Sequence, residues 1–217
     1  QGLHNSIAKA LTVEGKIDTQ QYKALCDKYD LAYIQQDAQD LLVSNLEGLD
    51  RVKEIVENLK TFSHSGDGKL ERISLNLCIE GALKIAWNAL KYEHIVDNKL
   101  DADLPQILGN NGQLQQVFVN LFVNAAYAMN NGGKLSIKST LTADRLIIEV
   151  SDTGCGMDKK NLEQLFTPFF TTKPIGVGTG LGLSVSYAIL ESHNVLTQVR
   201  SVVGKGTQFS LSFPLPE

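Results

Sequence analysis

Between Leu31 and Phe62 the chain has no proline and a single glycine, Gly48, while apolar residues return at Ala38, Leu42, Leu49, Val52, Val56 and Leu59. Alternating steps of three and four are the signature of one helix face, and this seam is interrupted by the polar Asn45. The stretch predicts one helix about 45 Å long at 1.5 Å per residue. A single seam of that length cannot be buried by folding back on itself, so pairing with a second copy into a helical bundle is expected. A long helix lying on its own globular domain fits the same spacing.

Residues 2 to 30 read as two shorter helices broken at Glu14-Gly15-Lys16, with Asp18 or Thr19 as the cap of the second. Ser63-His64-Ser65-Gly66-Asp67-Gly68 is a polar, glycine-bearing break that ends the long helix. It places a boundary between a helical segment, 1–66, and a second domain, 67–217.

That second part mixes periods of 2 and 3.6. Strand-like ISLN (73–76) precedes helix-like 78–90, and strands follow near His94 to Val96 and around Ile107. A helix over 112–130 leads to strands 134–141 and 145–152, a short helix up to Phe166, a helix over 181–192 and closing strands 196–201 and 207–213. Helices with mostly antiparallel strands make an α+β two-layer sandwich the expected architecture.

Composition narrows the partners. Twenty basic and 24 acidic residues, interspersed, give a net charge of −4, which offers nothing to nucleic acid or an anionic membrane surface. Cys26, Cys78 and Cys155 are an odd number without a CxxC pair, so neither a disulfide framework nor a zinc site is suggested and a reducing cytoplasm fits. No apolar run approaches the roughly 20 residues of a membrane span, although a parent protein can be membrane-anchored elsewhere. The chain starts at Gln1 rather than Met, which suggests a fragment or a processed chain.

Four segments carry chemistry. In QLQQVFVNLFVNAAYAM (113–129), Asn120 and Asn124 are four apart and share one helix face. Amide oxygens suit Mg²⁺, which takes its remaining ligands from water and substrate phosphates; two solvent-facing or backbone-capping polar residues fit equally. DTGCGM (152–157) puts Asp152 at a strand end before Gly154 and Gly156. A carboxylate there can accept from an exocyclic amine while the glycines let backbone approach a flat ring, or the segment is an ordinary turn. LFTPFFTTK (165–173) brings aromatics around Pro168, two hydroxyls and Lys173, all suited to a core anchor or to phosphate oxygens. GVGTGLGLSVSYAIL (176–190) sets glycines before an amphipathic helix whose amino end is an anion site. No strand precedes it, so a dinucleotide fold is not indicated, and no GxxxxGK[ST] occurs.

In order and within about 65 residues, these segments resemble the N box, first glycine box, F box and second glycine box of the histidine kinase branch of the ATPase superfamily shared with Hsp90, gyrase B and MutL. The likeness covers roughly 70–215, and GKGTQFSLSFP resembles the family's closing strand pair. It implies a histidine kinase-type ATP-binding fold behind a coiled-coil-like dimerisation segment. It also implies that Asn124, assisted by Asn120, binds Mg²⁺ and orients ATP, and that Asp152 accepts the adenine amine. Gly154 and Gly156 then line the base, and Thr207 supports Asp152 directly or through water. Thr172, Lys173, Gly178, Gly180, Leu181 and Gly182 hold phosphates under a lid spanning about 167 to 182.

The likeness further implies a histidine acceptor on a stalk helix, a response-regulator receiver domain as the next acceptor, and a homodimer through the long helix. NLEGLDRVKEIVENLKTFS resembles the second stalk helix of such kinases. The family's acceptor box, roughly His-Glu-x-x-x-Pro-Leu, does not occur here. His4 is nearest the expected place but is followed by Asn5, so the acceptor is expected before Gln1. Two other readings stand beside a kinase. One is a nucleotide-gated dimeric scaffold without phosphoryl transfer, favoured by the missing box. The other is an ATP-hydrolysing machine, which needs an acidic residue where Val123 stands.

Overall fold

Along Arg145–Asp152 every second side chain is buried: Leu146, Ile148 and Val150 face inward, while Arg145, Ile147 and Glu149 lie on the other side. The same alternation runs through Gly206–Pro214, where Phe209, Leu211 and Phe213 are buried. Period 2 with one apolar side makes a sheet with one packed face. In the computed structural model, which describes residues 19–63, 70–91, 93–130, 132–174 and 178–216, that face is covered by helices.

The chain divides into two compact units, Gln1–Glu54 and Ile55–Glu217. Its elements are α1 (Thr19–Lys28), α2 (Leu31–Ser63), β1 (Glu71–Ile73), α3 (Leu75–Leu90), β2 (His94–Lys99), β3 (Ile107–Gly109) and α4 (Asn111–Ala128). These are followed by β4 (Gly133–Leu141), β5 (Arg145–Asp152), α5 (Lys159–Glu163), α6 (Gly182–Ser192), β6 (Leu196–Val202) and β7 (Gly206–Pro214). Helix α2 runs 33 residues without a break, as its spacing predicts. Its seam residues Leu42, Leu49, Val52 and Val56 are all more than half exposed in the single chain. The first of the two short helices expected in 2–30, the Asp18 offered as cap of the second, His4 and the break around His64 lie outside the described residues. No described helix is long and apolar enough to cross a membrane.

Five strands form one sheet in the order β2-β4-β5-β7-β6, and β1 pairs with β3 in a separate two-stranded ribbon. All neighbours are antiparallel except β2 and β4. Parallel neighbours need a long crossover, here supplied by β3 and α4. Helix α4 therefore crosses the packed face, touching α3, α6, β4 and β5, and buries Leu114, Val117, Phe118, Leu121 and Phe122. This is the α+β sandwich expected from the sequence.

One boundary differs. ISLN reads as a strand, but β1 stops at Ile73 and Ser74 caps α3, its hydroxyl accepting from the Leu77 amide at 3.5 Å. Apolar residues at 73, 75 and 77 mimic a strand period, whereas Leu75, Cys78, Ile79, Ala82 and Ala86 make the helical stripe that is buried. The buried stripe prevails because a serine at the N-cap satisfies an otherwise orphaned amide.

His193, 5% exposed, ties the end of α6 to the start of α4. Its Nδ1 donates to the Ile189 carbonyl at 2.7 Å and its Nε2 accepts from the Asn110 amide at 3.0 Å. Asn110 in turn caps α4, its Oδ1 accepting from the Gln113 amide at 3.1 Å. The two helices that carry the asparagines and the glycine-rich segment are thereby held in one frame.

Candidate functional site

Asn120, Asn124 and Ala128 follow one another at four-residue spacing up one side of α4, and each meets a different segment. Asn120 Nδ2 donates to the Gly182 carbonyl and to Ser186 Oγ, both at 3.0 Å, at the start of α6. Asn124 Oδ1 accepts from Lys173 Nζ at 2.9 Å. The Ala128 carbonyl accepts from the Cys155 amide at 3.0 Å. A side chain at Gly154 would put its Cβ 2.6 Å from that same carbonyl oxygen, so the loop can lie against α4 only with glycine there. Segments up to 66 residues apart in sequence thus converge on one helix.

Asp152 ends β5 and is partly buried. Its Oδ1 accepts from the Gly154 amide at 2.8 Å and the Thr207 amide at 3.3 Å. Burial pushes its carboxyl above the ordinary range, and these two amides pull part of the way back. Thr207 reaches Asp152 through its backbone; its hydroxyl is instead 2.9 Å from Ser201 Oγ. Gly156, at φ +65°, backs onto the β6–β7 hairpin.

A carboxylate raised by desolvation costs stability when ionised. The folded state binds the proton more tightly than the unfolded chain, so stability is fullest below the unfolded pKa and falls as pH rises through the folded one. The side-chain amide of an Asp152→Asn variant keeps an oxygen for both backbone N–H groups without the charge. The variant is therefore expected to melt higher than the parent at pH 7, with the gap closing as pH drops toward the usual carboxylate range. Melting curves across pH 4 to 8 check this, and a variant that melts lower at pH 7 contradicts it.

In the segment 165–173, Leu165 is buried and Phe166 stacks on Tyr187 of α6 with ring centroids 4.6 Å apart. Phe169 instead points outward, 66% exposed, at φ +66°, so only part of this aromatic group anchors the loop. Thr171 Oγ1 accepts from the Lys173 amide at 3.1 Å, and Thr172 is exposed. Gly178 lies against Lys173 and Thr171, and Gly180 backs onto the Phe169 backbone. Residues 175–177 lie outside the described residues.

Helix α6 begins at Gly182 after the buried Leu181, with no side-chain cap. The other helices of this unit are capped by Ser74, Asn110 and Asp158. An uncapped amino end leaves amides facing outward and is suited to anions.

Among the described residues no group of three His, Cys, Asp or Glu side chains could hold a metal. The donor present is an amide oxygen that already receives a cation, which fits a hard metal completing its shell from phosphate and water. Asn120 spends its amide nitrogen on α6, a role its spacing on the helix did not announce. Sequence reasoning also passed over Ser186 and Ser201, whose hydroxyls hold Asn120 and Thr207; a lone serine carries no local signal. Of the described histidines, His193 is buried, and His94, the first residue of β2, has Nε2 3.1 Å from the Met129 carbonyl. Burial pushes the Cys78 thiol up to about 12, which rules it out as a nucleophile, and Cys155 is exposed.

The sandwich and the segments that converge on α4 fall within one family's characteristic domain. Residues 109–217 match the model of the histidine kinase-, DNA gyrase B- and HSP90-like ATPase family, and the chain belongs to that family. It is 36% identical over 174 residues to a putative sensor protein of Shewanella frigidimarina, covering 79% of this chain and 26% of that protein. It is 33% identical over 180 residues to the signal transduction histidine-protein kinase AtoS of Escherichia coli, covering 82% and 29%. The catalytic domain of the histidine kinase ThkA superposes with a TM-score of 0.60 at 26% identity, covering 68% of this chain and 99% of that one. The chain thus spans 26% and 29% of the length of the two curated relatives.

Proposed function

We propose that this chain is the ATP-binding and phosphoryl-transferring module of a sensor histidine kinase. It binds Mg-ATP and passes the γ-phosphoryl to a histidine on a helical stalk: the bond from the γ-phosphorus to the bridging oxygen breaks, ADP leaves, and a phosphorus–nitrogen bond forms. An aspartate of a response-regulator receiver domain then takes the group. The observation that carries this reading is the side of α4 on which Asn120, Asn124 and Ala128 each meet a different motif. Three motifs serve one ligand only if one helix gathers them.

In this reading Asp152 accepts the adenine amine and Gly154 and Gly156 let the base lie against backbone. Asn124 supplies an oxygen to Mg²⁺, and Asn120 holds α6 in place beside it. Thr172, Lys173, Gly178, Gly180, Leu181 and Gly182 receive the phosphates, and Thr207 supports Asp152 through its amide. Bound Mg²⁺ neutralises phosphate charge, which is most of what phosphoryl transfer asks of a site. Residues 1–66 act as the dimerising segment and 67–217 as the catalytic one. The exposed Leu42, Leu49, Val52 and Val56 support a homodimer in which α2 of a second copy covers this seam. His94 and His193 are engaged structurally, which supports an acceptor supplied from elsewhere in the parent protein.

The test is incubation with γ-labelled ATP and Mg²⁺, alone and with a stalk fragment bearing an intact acceptor histidine. Label is expected on the fragment, stable to alkali and lost in acid. ATP binding without any transfer would sink the kinase reading and favour a nucleotide-gated scaffold, which the missing acceptor box also favours.

A further inference from the structure

Tyr127 belongs to none of the roles assigned above. It lies three residues beyond Asn124 on α4, is 44% exposed, and carries Lys173 Nζ 4.5 Å from the centroid of its ring. The same ammonium donates to Asn124 Oδ1 at 2.9 Å. One cation, 49 residues further along the chain, is thus shared by two neutral groups of a single helix turn. A ring face attracts it through its quadrupole and an amide oxygen through its dipole.

The oxygen so occupied is the one assigned to Mg²⁺, and this inference rests on that assignment. Mg²⁺ binds oxygen at about 2.0–2.1 Å, and two cations a few ångströms apart repel strongly where water is partly excluded. Metal and ammonium therefore cannot both hold Asn124 Oδ1.

We propose that Tyr127 is a positioning residue that stations the Lys173 ammonium on Asn124 in the absence of metal. Lys173 and Mg²⁺ then compete for one oxygen, and Lys173 lowers the metal dependence of nucleotide binding. When metal enters, the ammonium leaves the oxygen, and the neutral ring holds it beside the phosphates. The ring face is what matters, so the phenolic hydroxyl is dispensable.

The experiment measures the dissociation constant of a mant-labelled ATP analogue for the whole chain, once with excess EDTA and once with saturating Mg²⁺. The ratio of the two constants is the readout. For Lys173→Met the ratio is expected to rise about tenfold, the size of one charge-assisted hydrogen bond, because metal-free binding weakens more than metal-loaded binding. For Tyr127→Leu it rises about threefold, the size of an exposed cation–π contact, and for Tyr127→Phe it stays at the parent value. A merely structural role for the ring would weaken both constants together and leave the ratio alone. An unchanged ratio in Lys173→Met, or a Tyr127→Phe effect as large as that of Tyr127→Leu, overturns the proposal while the site reading stands. A parent chain that fails to bind the analogue, or binds it equally with and without metal, removes the nucleotide or metal assignment itself and this proposal with it.

Discussion

Asn124→Ala is expected to lower phosphoryl transfer to an added acceptor by about a hundredfold or more, the loss typical of removing one group that stabilises developing charge or holds the metal. The fold should survive. Asn124 is only half-buried, and its partner Lys173 is a long, adaptable side chain. Asn120→Ala provides the contrast, since its amide holds the Gly182 carbonyl and Ser186 Oγ. Its loss leaves Ser186 Oγ, itself a donor to the Gly182 carbonyl at 2.8 Å, without the amide that donates to it, at about 1–3 kcal/mol, so activity and melting temperature should fall together. Initial rates of label transfer, paired with melting curves, separate the two. If Asn124→Ala keeps transfer within tenfold of the parent, the metal oxygen lies elsewhere.

Gly206→Ala is expected to destabilise the second unit by about 2–4 kcal/mol, which combines a disfavoured backbone with a steric clash. Gly206 sits at φ +102°, and a Cβ there would overlap the Asp152 carbonyl oxygen and lie 2.8 Å from its carbon. Relief by shifting the hairpin is opposed by the hydrogen bond from the Thr207 amide to Asp152 and by Ser201 Oγ, which donates to the Gly206 carbonyl at 3.2 Å. Gly204, two residues away at φ +75°, has nothing within 4 Å of a built Cβ. Gly204→Ala should therefore cost only the backbone term, about 1–2 kcal/mol. Urea denaturation of both variants measures the difference, and equal losses would mean that the hairpin yields freely. Because Gly206 presses on the residue that carries the carboxylate, Gly206→Ala should also weaken nucleotide binding.

Elements whose own periodicity is strong were legible from the chain. The seam from Ala38 to Leu59 announced α2, and Leu146, Ile148 and Val150 marked β5 over its observed span, Arg145–Asp152. The four segments that the proposed function assigns to a nucleotide, and the order in which they come, were legible as residue types at fixed spacings. Alternation tells a residue which side it presents; it does not name the strand beside it. The parallel pairing of β2 with β4, at the edge of an otherwise antiparallel sheet, was therefore invisible, as was the way Ser74 ends strand character three residues before the apolar period runs out at Leu77.

The site divides along the same line. Residue type determined that Asn120 and Asn124 share a helix face and that Asp152 is a carboxylate before a glycine turn, because these are local covalent and helical facts. Tertiary packing decided that Asn120 spends its amide on α6 and Asn124 gives its oxygen to Lys173, although the two side chains are chemically identical. It also decided that Thr207 serves Asp152 by its backbone and that Tyr127 receives an ammonium. A side chain's work is set by what lies opposite, and only the folded chain brings residues 49 and 62 positions apart within hydrogen-bonding distance.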